Sequence, residues 1–397
     1  MTRPIIVGVG MHRFGRQPDS TLKTLAGHAA TAALADAKME CGEVDCVFAA
    51  NVGAGLITGQ EGIRGQVALK DAGIGGMPFF NVENACASGS SAVHLAASYL
   101  ASGAAETALV VGYEKMSAPD KSLAFKAIDA CGDIEEIAAI KNALGPDGAG
   151  RSVFMDFYAR KVEKYLAESG ATTRHLAAIA AKNHCNGVDN EYAHFRSPQT
   201  IESVLASREI VAPLHLLMCS PISDGAAAIV LATESWAKAR GRSGPVIAAS
   251  KLRSDNFSNA ESQIRGLALE AYREAGLGPQ DMDLAEVHDG SAPGEIFAYE
   301  ELGFAAPGRG WTLVEDGTVF RGGRRPVNVG GGLIARGHPL GATGVAQICE
   351  LALQLRGEAG ARQVRNARAA VAHCLGGQVA FGKTTGAAAM SIFILAA

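Results

Sequence analysis

The stretch NVENACASGSS, residues 81–91, has a counterpart in GGGLIARGHPLG, residues 330–341. When the two are superimposed, Cys86 stands opposite His338, and each stretch leads into an alanine-rich run with almost no charge. The two runs are Ala92–Ala101 and Val345–Leu355. Helices that are apolar nearly all round are buried. The sequence therefore predicts two equivalent loops, each at the start of a buried helix.

The likeness continues upstream, which indicates an internal duplication. A β-rich run, a helical pattern and a second apolar run return in the same order in the second half, and the helical pattern and the second apolar run do so at one constant offset. These segments are Pro4–Val9, Thr21–Met39 and Val44–Ala50, then Val246–Ser250, Glu261–Ala275 and Leu284–Val287. Each half closes on a further apolar run, Ala108–Gly112 and Ala369–His373. Helices that alternate with short strands favour an α/β fold with largely parallel sheets.

Residues 116–245 fit neither repeat and are predicted to form an inserted loop domain. This segment is richer in charge and carries a helical pattern at Met155–Ser169. Its end, Ser220–Val230, predicts a turn and an apolar strand that returns to the core. Long insertions between repeats usually cover a site. The predicted domains are thus residues 1–115, 116–245 and 246–397.

Composition excludes several classes of function. With 48% hydrophobic and 19% charged residues, the chain of 397 residues is globular, and its net charge of −4 gives no nucleic-acid footprint. The apolar end Ala387–Ala397 is about half of the ~20 residues that span a bilayer. With no signal-peptide pattern, we expect a cytoplasmic protein with eight free cysteines. Dinucleotide, P-loop and HExxH motifs are absent from the sequence, so we expect neither a permanently bound cofactor nor a metal.

Cys86 and His338 are the first candidates for chemistry. A cysteine at a helix N-terminus feels the positive end of the helix dipole, which favours the thiolate. An inert, buried cysteine is the alternative. His338 follows a glycine-rich run in Gly337-His338-Pro339 and is the counterpart of Cys86 in the repeat. In a fold with two-fold pseudosymmetry, two such residues meet near the axis.

Three further positions stand at predicted strand ends, where open α/β sheets place ligands. His288 follows Leu284–Val287, and a helix cap or a pairing with Asp289 is the alternative to a catalytic role. Cys374 ends another strand, where a buried cysteine is ordinary. Gly376 follows it and offers a freely oriented backbone N–H.

Together these motifs resemble the thiolase family. The resemblance rests on NACASG around Cys86, HDGS at His288, GHPLGATG at His338 and Cys374 before Gly376, and it covers essentially the whole chain. The motifs GYEKMS (112–117), KNH (182–184) and SDGA (223–226) are similar to the sterol-carrier-protein-type branch. The resemblance implies a five-layered αβαβα fold of two βαβαβαββ halves with a loop domain, in a homodimer or homotetramer.

The resemblance also implies the site. Cys86 would be the acylated nucleophile, His338 would activate it, and His288 would help hold the thioester oxygen. The backbone N–H groups of Cys86 and Gly376 would form a second oxyanion hole. Cys374 would transfer the proton at the α-carbon, with His373 as the competing candidate. Where the branch has HDCF this chain reads HDGS, so Gly290 replaces a cysteine that some relatives use.

The implied reaction is reversible cleavage of a 3-oxoacyl-CoA by CoA, which is a cosubstrate. A biosynthetic acetyl-CoA acetyltransferase uses the same residues, and a partner-dependent lyase or scaffold subunit is the third possibility. Acyl chain length and the CoA-binding residues are not predicted. For the latter, Ser254–Ser258 is a polar loop for which a solvated turn is an equal alternative.

Overall fold

The computed structural model describes residues 3–145, 151–256, 263–379, 381 and 386–397. The strands of the first half are β1 (Ile5–Gly15), β2 (Cys46–Ala50), β3 (Phe79–Val82), β4 (Thr107–Glu114) and β7 (Asp224–Ala232). They form a sheet in the order β3-β2-β4-β7-β1. Strand β2 runs parallel to β3 and β4, whereas β7 is antiparallel to β4 and β1.

The second half repeats this order. Its strands are β8 (Val246–Arg253), β9 (Leu284–Glu286), β10 (Ala369–Gly376) and β11 (Ala389–Ala396). They lie in the order β8-β11-β10-β9, which matches β1-β7-β4-β2 in position and direction. A parallel bridge between Ala285 and Val327 stands where β3 stands in the first sheet. One residue pair, Ile5 and Val246, joins the two sheets.

Two buried helices separate the sheets, α4 (Ser88–Ala101) and α15 (Leu340–Arg356). Their apolar residues and the inner faces of both sheets share one core. Glycines let the two helices approach closely: a Cβ on Gly344 would lie 2.4 Å from the backbone nitrogen of Ser90. The N-termini of the two helices are therefore neighbours, and the loops before them meet.

Helices cover the outer face of each sheet. Against the first sheet lie α1 (Leu22–Ala37), α3 (Arg64–Leu69) and α10 (Glu234–Ala239). Against the second lie α8 (Thr173–Gly187), α11 (Ile264–Ala275), α12 (Ala292–Glu301) and α13 (Thr312–Glu315). The predicted αβαβα layering is confirmed. Two short helices, α2 (Ala54–Thr58) and α14 (Gly332–Arg336), lie in loops. Glu261 and part of Ser254–Ser258 fall outside the described residues.

The middle of the chain is mainly helical. It contains α5 (Ser122–Asp129), α6 (Ile134–Leu144), α7 (Val153–Glu168) and α9 (Ile201–Ala206), with a small hairpin of β5 (Glu209–Val211) and β6 (Leu214–His215). It ends in β7, which returns to the first sheet. The domain boundaries at 116 and 245 stay predictions. In the described part of the chain, every helix is too short or too polar to cross a membrane.

Candidate active site

Cys86 lies on a tight turn between β3 and α4. The residue before it, Ala85, has a φ of +48°, a left-handed conformation that residues with a side chain rarely adopt. Ser88 braces the turn, because its Oγ accepts the Asn84 N–H at 2.8 Å and donates to the Ala85 carbonyl at 2.6 Å. The thiol is half-buried and borders a cavity.

His338 stands on the loop between α14 and α15, after Gly337, whose φ is +106°. The His338 Nδ1 lies 2.7 Å from Thr343 Oγ1, and that hydroxyl donates to the Pro339 carbonyl at 3.0 Å. Since the hydroxyl hydrogen is used there, the oxygen accepts a hydrogen bond from Nδ1–H. Nδ1 therefore carries a proton, and Nε2 is the ring nitrogen that is available to Cys86 and to a substrate.

The structure brings His288 to the same point from the end of β9. The thiol of Cys86 and one ring nitrogen each of His288 and His338 lie within 4.8 Å of one another. The two imidazole rings are nearly perpendicular, with centroids 5.1 Å apart. Burial lowers the pKa of His288 well below its usual value, and the neighbouring His338 and His373 lower it further. His288 is therefore neutral at physiological pH.

Cys374 lies behind Cys86 at the end of β10. Its Sγ is 3.5 Å from the Cys86 carbonyl oxygen and 3.7 Å from His288 Nδ1. Burial, then the charge on Cys86, raises the pKa of Cys374 to about 12, so this thiol keeps its proton. Gly376 presses against the same turn: a Cβ there would lie 2.2 Å from the Asn84 carbonyl oxygen.

His373 faces the other side of the sheet, because neighbouring residues of a strand point in opposite directions. Its Nδ1 accepts the His288 backbone N–H at 3.4 Å, and its Nε2 lies 3.7 Å from a Glu301 oxygen. Burial lowers the pKa of His373 to about 3, with a smaller contribution from Lys161. Of the two predicted proton carriers, Cys374 adjoins Cys86 and His373 does not.

Cys131, in the turn after α5, was not predicted. Its S–H donates to the Ala127 carbonyl at 3.4 Å, and its side chain lies beside Cys86 at the cavity wall. The interaction with the Cys131 thiol, together with the charge and hydrogen bond of His338, holds the pKa of Cys86 well below its usual value despite burial. The pKa of Cys131 is raised well above its usual value by its interaction with Cys86, by burial and by nearby Glu83 and Glu114. The proton therefore belongs to Cys131 and the charge to Cys86. In the sequence, Cys131 resembles any buried cysteine.

A cavity of about 400 Å³ opens in front of Cys86. Its floor holds Cys86, His288 and His338, and its walls are largely aromatic and aliphatic. The middle of the chain supplies most of the walls, from helices α5 and α7: Phe125, Ile128, Phe154, Met155 and Phe157. The insertion thus covers the site, as the sequence predicts.

Buried carboxylates fix the loops that carry these groups. Asp289 accepts the Leu333 N–H at 2.7 Å and the side-chain amide of Asn183 at 2.8 Å, so it braces the glycine-rich loop rather than pairing with His288. Glu114 accepts N–H groups from Gly53 and Gly341 at 2.9 and 3.0 Å, which joins the start of α15 to the first sheet. These contacts explain the GYEKMS, KNH and HDGS motifs structurally.

The Cys86, His288 and His338 donor set also has the composition of a zinc site, and it is the single group of this kind in the described residues. A metal would take the same lone pairs that otherwise serve nucleophilic attack. Occupation by a metal and covalent chemistry at Cys86 therefore exclude each other. The sequence contains neither the dinucleotide-binding motif nor the P-loop motif that would bind a nucleotide cofactor.

Comparison with known proteins identifies the class. Residues 5–205 match the thiolase N-terminal domain, and residues 249–385 match the C-terminal domain-like region of thiolases. The chain belongs to the thiolase family.

The chain is also similar to individual proteins of known name and to a solved structure. The chain is 36% identical to sterol carrier protein 2 of Homo sapiens, over 95% of its own length and 70% of that protein's. It is 36% identical to an acetyl-CoA acetyltransferase of Methanothermobacter thermautotrophicus, covering 98% of both chains. It is 34% identical to the benzoylsuccinyl-CoA thiolase subunit BbsB of Thauera aromatica, over 94% of both. The solved structure of an Ltp2–ChsH2(DUF35) aldolase has the same fold, with a TM-score of 0.78, 24% identity, and coverage of 100% of this chain and 98% of that one.

Proposed function

We propose that the chain catalyses the reversible, CoA-dependent cleavage of a 3-oxoacyl-CoA to acetyl-CoA and a shortened acyl-CoA, through an acyl group carried on Cys86. The observation that carries the proposal is the thiolate environment of Cys86. The neighbouring Cys131 thiol and His338 lower its pKa at the floor of a largely apolar cavity, where the Cys86 sulfur and one ring nitrogen each of His288 and His338 lie within 4.8 Å of one another. Thiolates, not thiols, are the effective nucleophiles in acyl transfer.

In the first half-reaction the Cys86 sulfur attacks the 3-oxo carbon. The backbone N–H groups of Cys86 and Gly376 stabilise the oxyanion that forms. The bond between the α-carbon and the 3-oxo carbon then breaks, and its electron pair becomes the enolate of acetyl-CoA. His288 and His338 hold the enolate oxygen, and Cys374 gives its proton to the α-carbon. Each preorganised donor contributes roughly 2.7–4 kcal/mol to such steps.

In the second half-reaction the CoA thiol attacks the acyl group on Cys86. His338 accepts the thiol proton at Nε2 and passes it to the Cys374 thiolate that the first half-reaction left. The bond between the acyl carbon and the Cys86 sulfur then breaks, which restores the Cys86 thiolate and releases the shortened acyl-CoA. CoA is thus a cosubstrate, and no permanently bound cofactor takes part. The same steps in reverse give an acetyl-CoA acetyltransferase, so degradative and biosynthetic directions use the same residues. Cytoplasmic location and a homodimer or homotetramer stay predictions from the sequence.

Peptide mass spectrometry tests the proposal. After incubation with acetyl-CoA or acetoacetyl-CoA, we expect a single acetyl group on Cys86. Cys86→Ala should abolish both acylation and thiolysis while the fold is retained. Cys219→Ala is the matched control, because Cys219 lines the same cavity and its thiol donates to the His215 carbonyl at 3.5 Å. Acetylation of another cysteine in the wild-type chain would refute the assignment.

A partner-dependent form of this activity is the second candidate. The observation that favours it is the relative from Thauera aromatica, which is named a subunit and which the chain matches over 94% of its length. In that case the purified chain would be acylated on Cys86 yet turn over slowly. Full thiolysis by the purified chain alone would exclude this form.

A further inference from the structure

Tyr158, on helix α7, reaches across the loop after β9 and places its phenol beside His288. A Cβ built on Gly290 would lie 3.2 Å from the Tyr158 hydroxyl oxygen and 3.6 Å from His288 Nε2. The ring also covers Gly294, whose Cβ would lie 3.4 Å from Tyr158 Cε1. The phenol oxygen and the His288 ring nitrogen therefore border the same small volume. The missing side chain at Gly290 leaves that volume open.

The Tyr158 hydroxyl has no hydrogen-bond partner among the residues that the structure describes. Other tyrosines nearby differ: the hydroxyls of Tyr165, Tyr272 and Tyr299 donate to protein oxygens at 2.6, 3.0 and 2.5 Å. A tyrosine hydroxyl in an interior position usually finds a partner. That of Tyr158 instead borders the cavity that also holds Cys86 and His288. It is a donor that faces the place where a substrate must bind.

The surroundings keep this phenol neutral. Burial raises the pKa of Tyr158, and the negative charges of Cys86 and Glu301 raise it further. A phenol that holds its proton next to a thiolate acts as a hydrogen-bond donor, not as a base. Its natural acceptor is an oxygen on which negative charge develops.

We propose that Tyr158 is a further catalytic residue, which donates a hydrogen bond to the thioester oxygen that His288 and His338 hold while acetyl-CoA is an enolate. The inference rests on the proposed function. Tyr158 keeps its proton throughout, and the proton that reaches the α-carbon still comes from Cys374. The donor comes from the inserted part of the chain, so this region contributes to the chemistry as well as to the cavity walls.

Tyr158→Phe tests the inference, because it keeps the ring over Gly290 and removes only the hydroxyl. We expect kcat for thiolysis and the exchange of α-deuterium of acetyl-CoA with solvent to fall about 10²-fold, as for other oxyanion donors. The KM for CoA and the acetylation of Cys86 should stay at wild-type levels. Tyr165→Phe is the matched control on the same helix, since its hydroxyl binds Glu300.

A purely structural role for Tyr158 predicts a different result. Unchanged kcat and exchange in Tyr158→Phe, or a change confined to KM, would overturn the inference. Failure of the proposed function is distinguishable, because the wild-type chain itself would then lack acetylation of Cys86.

Gly290→Ala provides a second, independent measurement. The added methyl group would crowd the phenol oxygen at 3.2 Å and displace it, so we expect kcat to fall in the wild-type background. In the Tyr158→Phe background the same change should have a smaller effect, because the hydroxyl is already absent and only the contact with His288 Nε2 at 3.6 Å remains. Equal losses in the two backgrounds would show that Gly290 and Tyr158 act separately and would overturn the inference.

Discussion

Replacing Cys131 with alanine should raise the pKa of Cys86, because it removes the neighbouring S–H group, whose interaction with the Cys86 sulfur lowers that pKa. Hydrogen bonds to charged groups contribute about 1.5–3 kcal/mol, and one pKa unit corresponds to about 1.4 kcal/mol. A thiol is a weak donor, so the low end of this range applies. We therefore expect an increase of about 1 pKa unit.

The assay is the rate at which iodoacetamide alkylates Cys86, followed by peptide mass spectrometry as the pH is varied. Since the thiolate is the reactive species, the rate rises as pH passes the pKa of Cys86. In Cys131→Ala the whole curve should move to higher pH. Cys131→Ser should stay close to wild type, because the serine hydroxyl retains a donor at the same place.

Cys219→Ala is the control for the loss of a thiol from the cavity wall. Burial alone raises the pKa of Cys219 to about 12, so it neither competes for iodoacetamide nor affects Cys86. If Cys131→Ala alkylates with the wild-type pH profile, the Cys131 thiol does not stabilise the thiolate. The helix terminus and His338 would then be sufficient.

Four other substitutions test the proposed catalytic groups and the hydrogen bond that orients His338. His338→Ala should also move the Cys86 alkylation curve to higher pH, and an unchanged curve would exclude His338 as the activating group. Thr343→Val should lower kcat, because the His338 ring loses the hydrogen bond that orients it. His288→Ala should lower kcat about 10²–10³-fold, the cost of losing one oxyanion donor, with little effect on the KM for CoA; an effect on KM alone would indicate a binding role. Cys374→Ala should still be acetylated on Cys86 but lose thiolysis and α-deuterium exchange. Exchange at the wild-type rate would show that Cys374 is a buried strand cysteine with no part in proton transfer.

The duplication made the centre of the site predictable from the sequence. Cys86 and His338 occupy equivalent places in two strand–loop–helix units, and packing the two helices side by side brings their N-termini together. Glycines at the helix contact permit that approach, since a side chain on Gly89 would lie 2.7 Å from the Gly341 carbonyl oxygen. The internal repeat, rather than any single motif, thus predicted that Cys86 and His338 lie close together.

Residues outside the repeat gave no comparable signal. Cys131 and Tyr158 belong to the inserted part, which has no counterpart in the other half to fix its position. Their contacts depend on how α5 and α7 lie over the sheets, a tertiary property that local periodicity does not encode. The same holds for β11, whose apolar sequence suits a strand or a buried helix and becomes a central strand through its pairing with β8 and β10.

Two buried carboxyl groups, Glu114 and Asp289, connect the sheets to the loops of the site. Burial raises the pKa of Glu114 to about 7 and that of Asp289 well above its usual value, and hydrogen bonds from backbone N–H groups oppose both increases. Each joins a strand end to a loop of the site: Glu114 holds Gly341, three residues after His338, and Asp289 holds Leu333 on the glycine-rich loop while following His288 in the chain. The imidazoles are thereby fixed before substrate binds. Preorganised donors stabilise a developing oxyanion without reorganising during the reaction, which explains why the fold places buried, hydrogen-bonded carboxyl groups next to the loops that carry its reactive groups.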